Sequence, residues 1–210
     1  MSKFAILLGG GLTVTRRLRA QIKGARVIAA DSGIAHAVSL GVVPELWVGD
    51  FDSAGSELVL QYADIPRQAF PAEKDATDGA IAIAEAKLRG ASEFILVGGL
   101  GGQADHTLGH FGLTLQLARG GFPTILTSGD EEAHAILLGE TELDLSNGVR
   151  LSIVPFTDFV GLDLSGVKWP LVKRDVPLGD TLTMSNVATG PVRISLREGY
   201  GIAIAYPRHD

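Results

Sequence analysis

Residues 44–55 read PELWVGDFDSAG. Leu46, Trp47 and Val48 form a short, unbroken apolar run that opens at once into Gly49, Asp50, Phe51, Asp52 and Ser53. A strand that alternates apolar and polar residues has one wet face. A strand apolar throughout is covered on both faces, as in a parallel sheet with helices on each side. In such sheets ligands sit beyond the carboxyl ends of the strands. Two carboxylates at that end repel each other and lose solvation, so a counter-charge must hold them there.

The same rhythm extends outward from this stretch. Apolar or β-rich runs at residues 4–8, 26–30, 46–48, 67–70, 94–97 and 124–127 alternate with segments of helical spacing. Residues 77–89 follow a capping residue and precede Gly90, and residues 105–119 place Leu108, Phe111, Leu115 and Ala118 on one face before Gly120. Residues 1–130 therefore predict an α/β domain, a doubly wound, mostly parallel sheet with helices on both faces. After Asp130 the pattern changes to AHAILLGE, RLSIVPF, VGLDLSG, PVRISLRE and GIAIAYP, separated by turn residues and without a convincing helix. Residues 131–210 predict a C-terminal antiparallel β-sandwich.

The 210 residues carry a formal charge of −6, and their 18 Lys and Arg are scattered, which argues against a nucleic-acid surface. The cluster TRRLR at residues 15–19 reads as a solvated helix face. There is no cysteine, so disulfides, thiolate metal sites and a cysteine nucleophile are excluded, and a cytoplasmic location is the expectation. The opening MSKFAILLGGG is too short an apolar run to span a membrane and reads as a strand.

Four successive strand ends carry aspartates: Asp31, then Asp50 with Asp52, then Asp75 with Asp78, then Asp105. Singly, each is a common cap or turn residue. Together they form an acidic rim that suits a hard cation, and Mg²⁺, shared between carboxylates and substrate phosphates, fits best. If the segment is extended, Asp50 and Asp52 point the same way, with Phe51 turned to apolar surroundings. Gly98, Gly99, Gly101 and Gly102 lie between a strand and a helix start, where backbone N–H groups can receive an anion, and Lys74 adds a mobile positive charge. Gly99, Gly101 and Ala104 also satisfy a dinucleotide spacing, but carboxylates surround it and the acidic ribose partner is not clearly placed. GGGLTV at residues 9–14 is no P-loop, and His36, His106 and His110 make no zinc pattern. His110 reads as a solvent-facing or hydrogen-bonding residue. Trp169, flanked by Lys168 and Pro170, reads first as core, although a half-exposed indole in such a turn would suit a flat heteroaromatic ring.

The segments AADSGIAHAVSLGVVPELWVGDFDS, FPAEKDATDGAIAIAEA, LVGGLGGQADHTLGH, GVRLSIVPF, GLDLSGVKWPL and TMSNVATG, in that order, resemble the thiamine pyrophosphokinase (thiamine diphosphokinase) family over nearly the whole chain. The resemblance implies transfer of a pyrophosphoryl group from ATP to the hydroxyl of thiamine, giving thiamine diphosphate and AMP. It implies Mg²⁺ on Asp50, Asp52 and Asp75, with Asp31 and Asp105 completing the catalytic acidic site. Lys74, Thr77, Asp78, Gly99, Gly101, Gly102 and Gln103 would hold ATP, while Trp169, Ser185 and Asn186 would shape the thiamine pocket. It also implies a homodimer with active sites where the α/β domain of one subunit meets the β domain of the other. Two positions depart from the family pattern: Gln103 stands where Arg is frequent, and Ser32 where a second Gly is. Loss of that Arg leaves Lys74, Arg16, Arg17 or the metal to supply the charge. Two rival readings are a pyrophosphokinase for another heterocyclic alcohol, such as a pterin, and a nucleotide-sensing module without turnover.

Overall fold

A computed structural model describes residues 2–51, 56–70 and 75–207; Asp52 and Lys74 lie outside the described residues. The first part runs β1 (Ser2–Leu7), α1 (Arg16–Ile22), β2 (Arg26–Ala30), a 3-10 turn (Asp31–Ala35), α2 (His36–Leu40), β3 (Leu46–Gly49), α3 (Ser56–Gln61), β4 (Arg67–Ala69), α4 (Asp78–Leu88), β5 (Ala91–Val97), α5 (Ala104–Arg119) and β6 (Thr124–Thr127). Strands then follow without a further helix among the described residues: β7 (Glu132–Ile136), β8 (Gly139–Leu143), β9 (Arg150–Pro155), β10 (Phe159–Val167), β11 (Leu171–Val176), β12 (Asn186–Leu196) and β13 (Gly201–Tyr206).

Strands β4-β3-β2-β1-β5-β6 are parallel neighbours in that order. Both faces are covered, as the unbroken apolar strands require. Phe4, Ile6 and Leu8 face Ala82, Ile83 and Ala86 of α4 and Leu115 of α5, whereas Ala5 and Leu7 face Leu18 and Ile22 of α1 and Ala37 and Leu40 of α2. Helix α4 starts where Thr77 accepts a hydrogen bond from the Ala80 N–H at 3.3 Å. In α5 the expected apolar face is only partly right. Leu115 is buried, but Leu108, nearer the start of α5, is 62 % exposed.

The sheet does not stop at the change of rhythm. Strand β7 pairs antiparallel with β6 and carries the same sheet on to β13 and β9. Strand β12 starts beside β9 and then crosses to pair with β10 and β8, so it belongs to both layers of the sandwich. Residues of β13 alternate accordingly: Ile202 and Ile204 pack in the core beneath α5, Ala203 and Ala205 in the core of the sandwich. The α/β layer and the β-sandwich share one continuous sheet. Among the described residues no helix is long and apolar enough to cross a membrane.

Candidate active site

Strand order reverses between β1 and β5, and the turns after these two strands flank the crevice where such sheets take ligands. Gly9 and Gly10 follow β1, and Gly98 to Gln103 follow β5. The Gly10 N–H donates to the Gly98 carbonyl at 2.8 Å. A Cβ on Gly10 would stand 2.5 Å from that oxygen, and one on Gly98, at φ +75°, would stand 2.5 Å from the Leu8 carbonyl. Only glycine lets the two turns touch. A ring nitrogen from a histidine meets a carbonyl in each turn: His36 Nε2 lies 3.0 Å from Gly10 O, and His110 Nδ1 lies 2.8 Å from Gly99 O.

A cleft of about 540 Å³ opens over this crevice. Three carboxylates border it, Asp31 after β2, Asp50 after β3 and Asp78 at the start of α4. Thr77, Gly101, Gly102 and Gln103 border it too. Asp31 has φ 43° and Phe51 has φ 63°, two of the four non-glycine residues with positive φ among those described. Backbone in that region is unfavourable unless neighbours enforce it. Trp47, fully buried in β3, is in contact with both: its indole N–H donates to the Asp31 carbonyl at 2.9 Å, and the Phe51 ring meets it edge-on at 4.9 Å. Phe51 thus turns to apolar surroundings as expected. Its φ is not that of extended chain, however, so the argument that Asp50 and Asp52 point the same way loses its premise.

Seven expected residues therefore gather in one cleft: Asp31, Asp50, Thr77, Asp78, Gly101, Gly102 and Gln103. Asp75 and Asp105 are exposed and do not line it, and Gly99 supports the cleft through its carbonyl. Asp105 accepts the His106 N–H at 2.9 Å in the first turn of α5. Among the described residues no three acidic or histidine side chains converge as a ready metal cage. The oxygen donors that border the cleft are nevertheless of the type Mg²⁺ prefers. Sequence reading missed Gly9, Gly10, Ser32, His106 and His110 as cleft residues. The signal for the first two was present, a glycine pair directly after a strand, but it identifies a site only once the strand order is known.

A second group lies in the sandwich, apart from the cleft lining. Asn186 is buried and grips the Trp169 backbone in both directions, Nδ2 donating to Trp169 O at 2.8 Å and Oδ1 accepting from Trp169 N at 3.2 Å. The indole is 53 % exposed, with Lys168 Nζ 4.7 Å from its ring, so the core reading is wrong for Trp169. Trp47 is the core tryptophan. Ser185, at φ 58°, donates its backbone N–H to Ser152 Oγ at 2.9 Å.

Residues 20–126 match the family described as "Thiamin pyrophosphokinase, catalytic domain", and residues 140–200 match "Thiamin pyrophosphokinase, vitamin B1 binding domain". The chain belongs to the thiamin pyrophosphokinase family. A thiamine pyrophosphokinase of Bacillus subtilis is 29 % identical over 163 residues, 76 % of each chain. The crystal structure of a thiamine pyrophosphokinase from B. subtilis superposes with a TM-score of 0.86 at 26 % identity, covering 98 % of this chain and 99 % of that one. The enzyme from Candida albicans, 12 % identical, shares the fold with a TM-score of 0.83, covering 99 % of this chain and 89 % of that one. As a thiamin pyrophosphokinase family member the chain is an enzyme of the thiamine diphosphokinase type. The catalytic-domain match contains every described cleft residue from Ala30 to His110, and the vitamin B1 match contains Trp169, Ser185 and Asn186.

The family Arg absent at Gln103 is not replaced by Arg17. That side chain is committed elsewhere, through Nε–Oε1 at 2.6 Å and Nη2–Oε2 at 3.0 Å, to the carboxylate of Glu132, which is 1 % exposed. Arg19 donates to the carbonyls of Leu40 and Ser39, each at 2.8 Å. Arg16 and Arg19 keep the expected exposed face, whereas Arg17 is drawn into a clamp on Glu132. Burial raises the Glu132 pKa, but hydrogen bonds and charge from His134 and Arg17 outweigh it and pull the carboxyl down to about 2.

Proposed function

We propose that the chain moves the pyrophosphoryl group of ATP to the hydroxyl of thiamine, with Mg²⁺ as cofactor, as a homodimer acting in the cytoplasm. Besides family membership, the observation that carries this reading is the cleft itself. Carboxylates from separate strand ends border the same crevice as glycine turns and a helix start, an arrangement that suits a metal-bound triphosphate. Bound Mg²⁺ would neutralise charge on the phosphates, and Asp50, Asp52 and Asp75 are the side chains assigned to hold it, with Asp31 and Asp105 completing the acidic site.

The protein's own part is alignment, since phosphoryl transfer asks mainly for positioning and charge compensation. Thr77, Gly101, Gly102 and Gln103 orient the triphosphate. The thiamine oxygen forms a bond to the β-phosphorus, the bond from that phosphorus to the α-bridging oxygen breaks, and AMP leaves. The hydroxyl proton passes to a carboxylate. Asp31 is preferred to Asp105 for this because Asp31 borders the cleft.

Residues 1–130 are assigned to ATP and metal, and residues 131–210 to thiamine through Trp169, Ser185 and Asn186. Among the described residues the cleft lining draws on none beyond His110, and Trp169, Val172, Leu178, Leu182 and Met184 leave apolar surface exposed in the other half. Both facts favour an active site completed by a second copy. Incubation with ATP, thiamine and Mg²⁺ tests the reaction: thiamine diphosphate and AMP should appear in equal amounts, and chelator should stop both. AMP release with a pterin but not with thiamine would refute the acceptor, and ATP binding indifferent to Mg²⁺ without AMP would refute the reaction.

A further inference from the structure

We propose that His110 is a substrate-contacting residue whose Nε2 accepts a hydrogen bond from the nucleoside part of the bound nucleotide. The inference rests on the nucleotide reading of the cleft. Gly99 O can only accept, so His110 Nδ1, 2.8 Å away, carries the ring proton. In a neutral imidazole the other nitrogen is then an acceptor with no hydrogen to give. The bond to the Gly99 carbonyl thus holds both the tautomer and the orientation of the ring.

His110 is half-buried and borders the cleft, and Nε2 has no hydrogen-bond partner among the described residues. Burial, partly offset by the Gly99 bond and reinforced by nearby His106, lowers its pKa, which keeps the ring neutral around pH 7. An acceptor nitrogen on a residue that borders the cleft repels phosphate oxygens and attracts O–H or N–H groups. Phosphate oxygens have no hydrogen to give, so the partner of Nε2 lies on the nucleoside. The group it meets is therefore a sugar hydroxyl or the exocyclic amine of the base.

His110→Asn separates the two bonds of the ring, because its amide can still donate to Gly99 O but nothing replaces Nε2. With MgATP the variant should melt within a few degrees of the parent, show a KM for ATP raised about tenfold, and change the thiamine KM and kcat less than twofold. With the parent protein, one of 2′-deoxy-ATP, 3′-deoxy-ATP or inosine triphosphate should suffer the same loss, and that analogue should lose nothing more on the variant. An unchanged ATP KM in His110→Asn, or an equal further loss for every analogue, would overturn the proposal and leave His110 a clamp on Gly99 alone. If the parent forms no AMP with thiamine, the proposed reaction fails instead, and calorimetric titration with MgATP still compares the two proteins.

Discussion

Trp47 holds Asp31 by its backbone, the indole N–H lying 2.9 Å from the Asp31 carbonyl while Asp31 keeps φ at 43°. The acidic residue at the cleft is thus set by a tryptophan one strand away with no exposed surface. Trp47→Phe keeps a ring for Phe51 to pack against but removes the indole donor to the Asp31 carbonyl. Loss of one such hydrogen bond costs about 0.5–1.5 kcal/mol. Thermal melting should drop by several degrees, and kcat should fall about tenfold with little change in the thiamine KM. Unaltered kcat would show that Asp31 is placed without Trp47.

Asp50→Asn tests the acidic cleft directly. Removing a charge from a cluster of like charges relieves repulsion in the metal-free protein. Stability without Mg²⁺ should therefore be unchanged or slightly higher, while AMP formation falls by about 10²-fold or more. The stabilisation that Mg²⁺ with ATP gives the parent in a thermal shift should also shrink. An active variant, or one that unfolds, contradicts the assignment.

The reach of the sequence is clearest at residues 44–55. The unbroken apolar run announced a doubly covered strand, and the aspartates after Ala30 and Gly49 announced residues that border the cleft, because both signals are local. What the sequence hid depends on strand order. Gly9 and Gly10 matter because β1 lies next to β5, a pairing that no spacing along the chain encodes. The continuity of the sheet through β7 was hidden in the same way, since the change from helical to alternating pattern suggested a boundary that the hydrogen bonds cross. Arg17 reads as surface until its partner, 115 residues away, is known. Trp169 and Trp47 carry the same side chain, and only packing tells the exposed one from the buried one.

Asn186 gives the thiamine assignment a sharper test than Trp169 itself. Its side chain bonds both the N–H and the carbonyl of Trp169, so Asn186→Ala frees the turn without touching the indole. With the Val187 N–H that also donates to Oδ1 at 2.9 Å, three bonds are lost from a buried amide, which should cost about 1–3 kcal/mol of stability. If the indole forms the thiamine pocket, the thiamine KM should rise about tenfold in Asn186→Ala and more in Trp169→Ala, with the ATP KM constant in both. Equal rises for both substrates would place Trp169 outside the thiamine site.

The buried carboxylate of Glu132 predicts how the fold responds to acid. Arg17 holds both of its oxygens, Gln21 donates to Oε1 at 2.7 Å, and His134 Nε2 lies 3.4 Å from Oε2. The folded pKa is about 2 against an ordinary value of 4.5. A depressed carboxyl pKa stabilises the fold above the unfolded value and loses that contribution as the folded group takes up its proton. The term is therefore complete above pH 4.5 and fades as pH falls through about 2. At 1.36 kcal/mol for each pKa unit it amounts to about 3 kcal/mol. Urea unfolding of the parent between these limits should show that slope, and Glu132→Gln should flatten it. Arg17→Ala leaves the charge buried without its main partner and should cost about 3–5 kcal/mol near neutral pH, more than Glu132→Gln costs. A parallel pH slope in Glu132→Gln would mean that other carboxylates, not this clamp, govern acid unfolding.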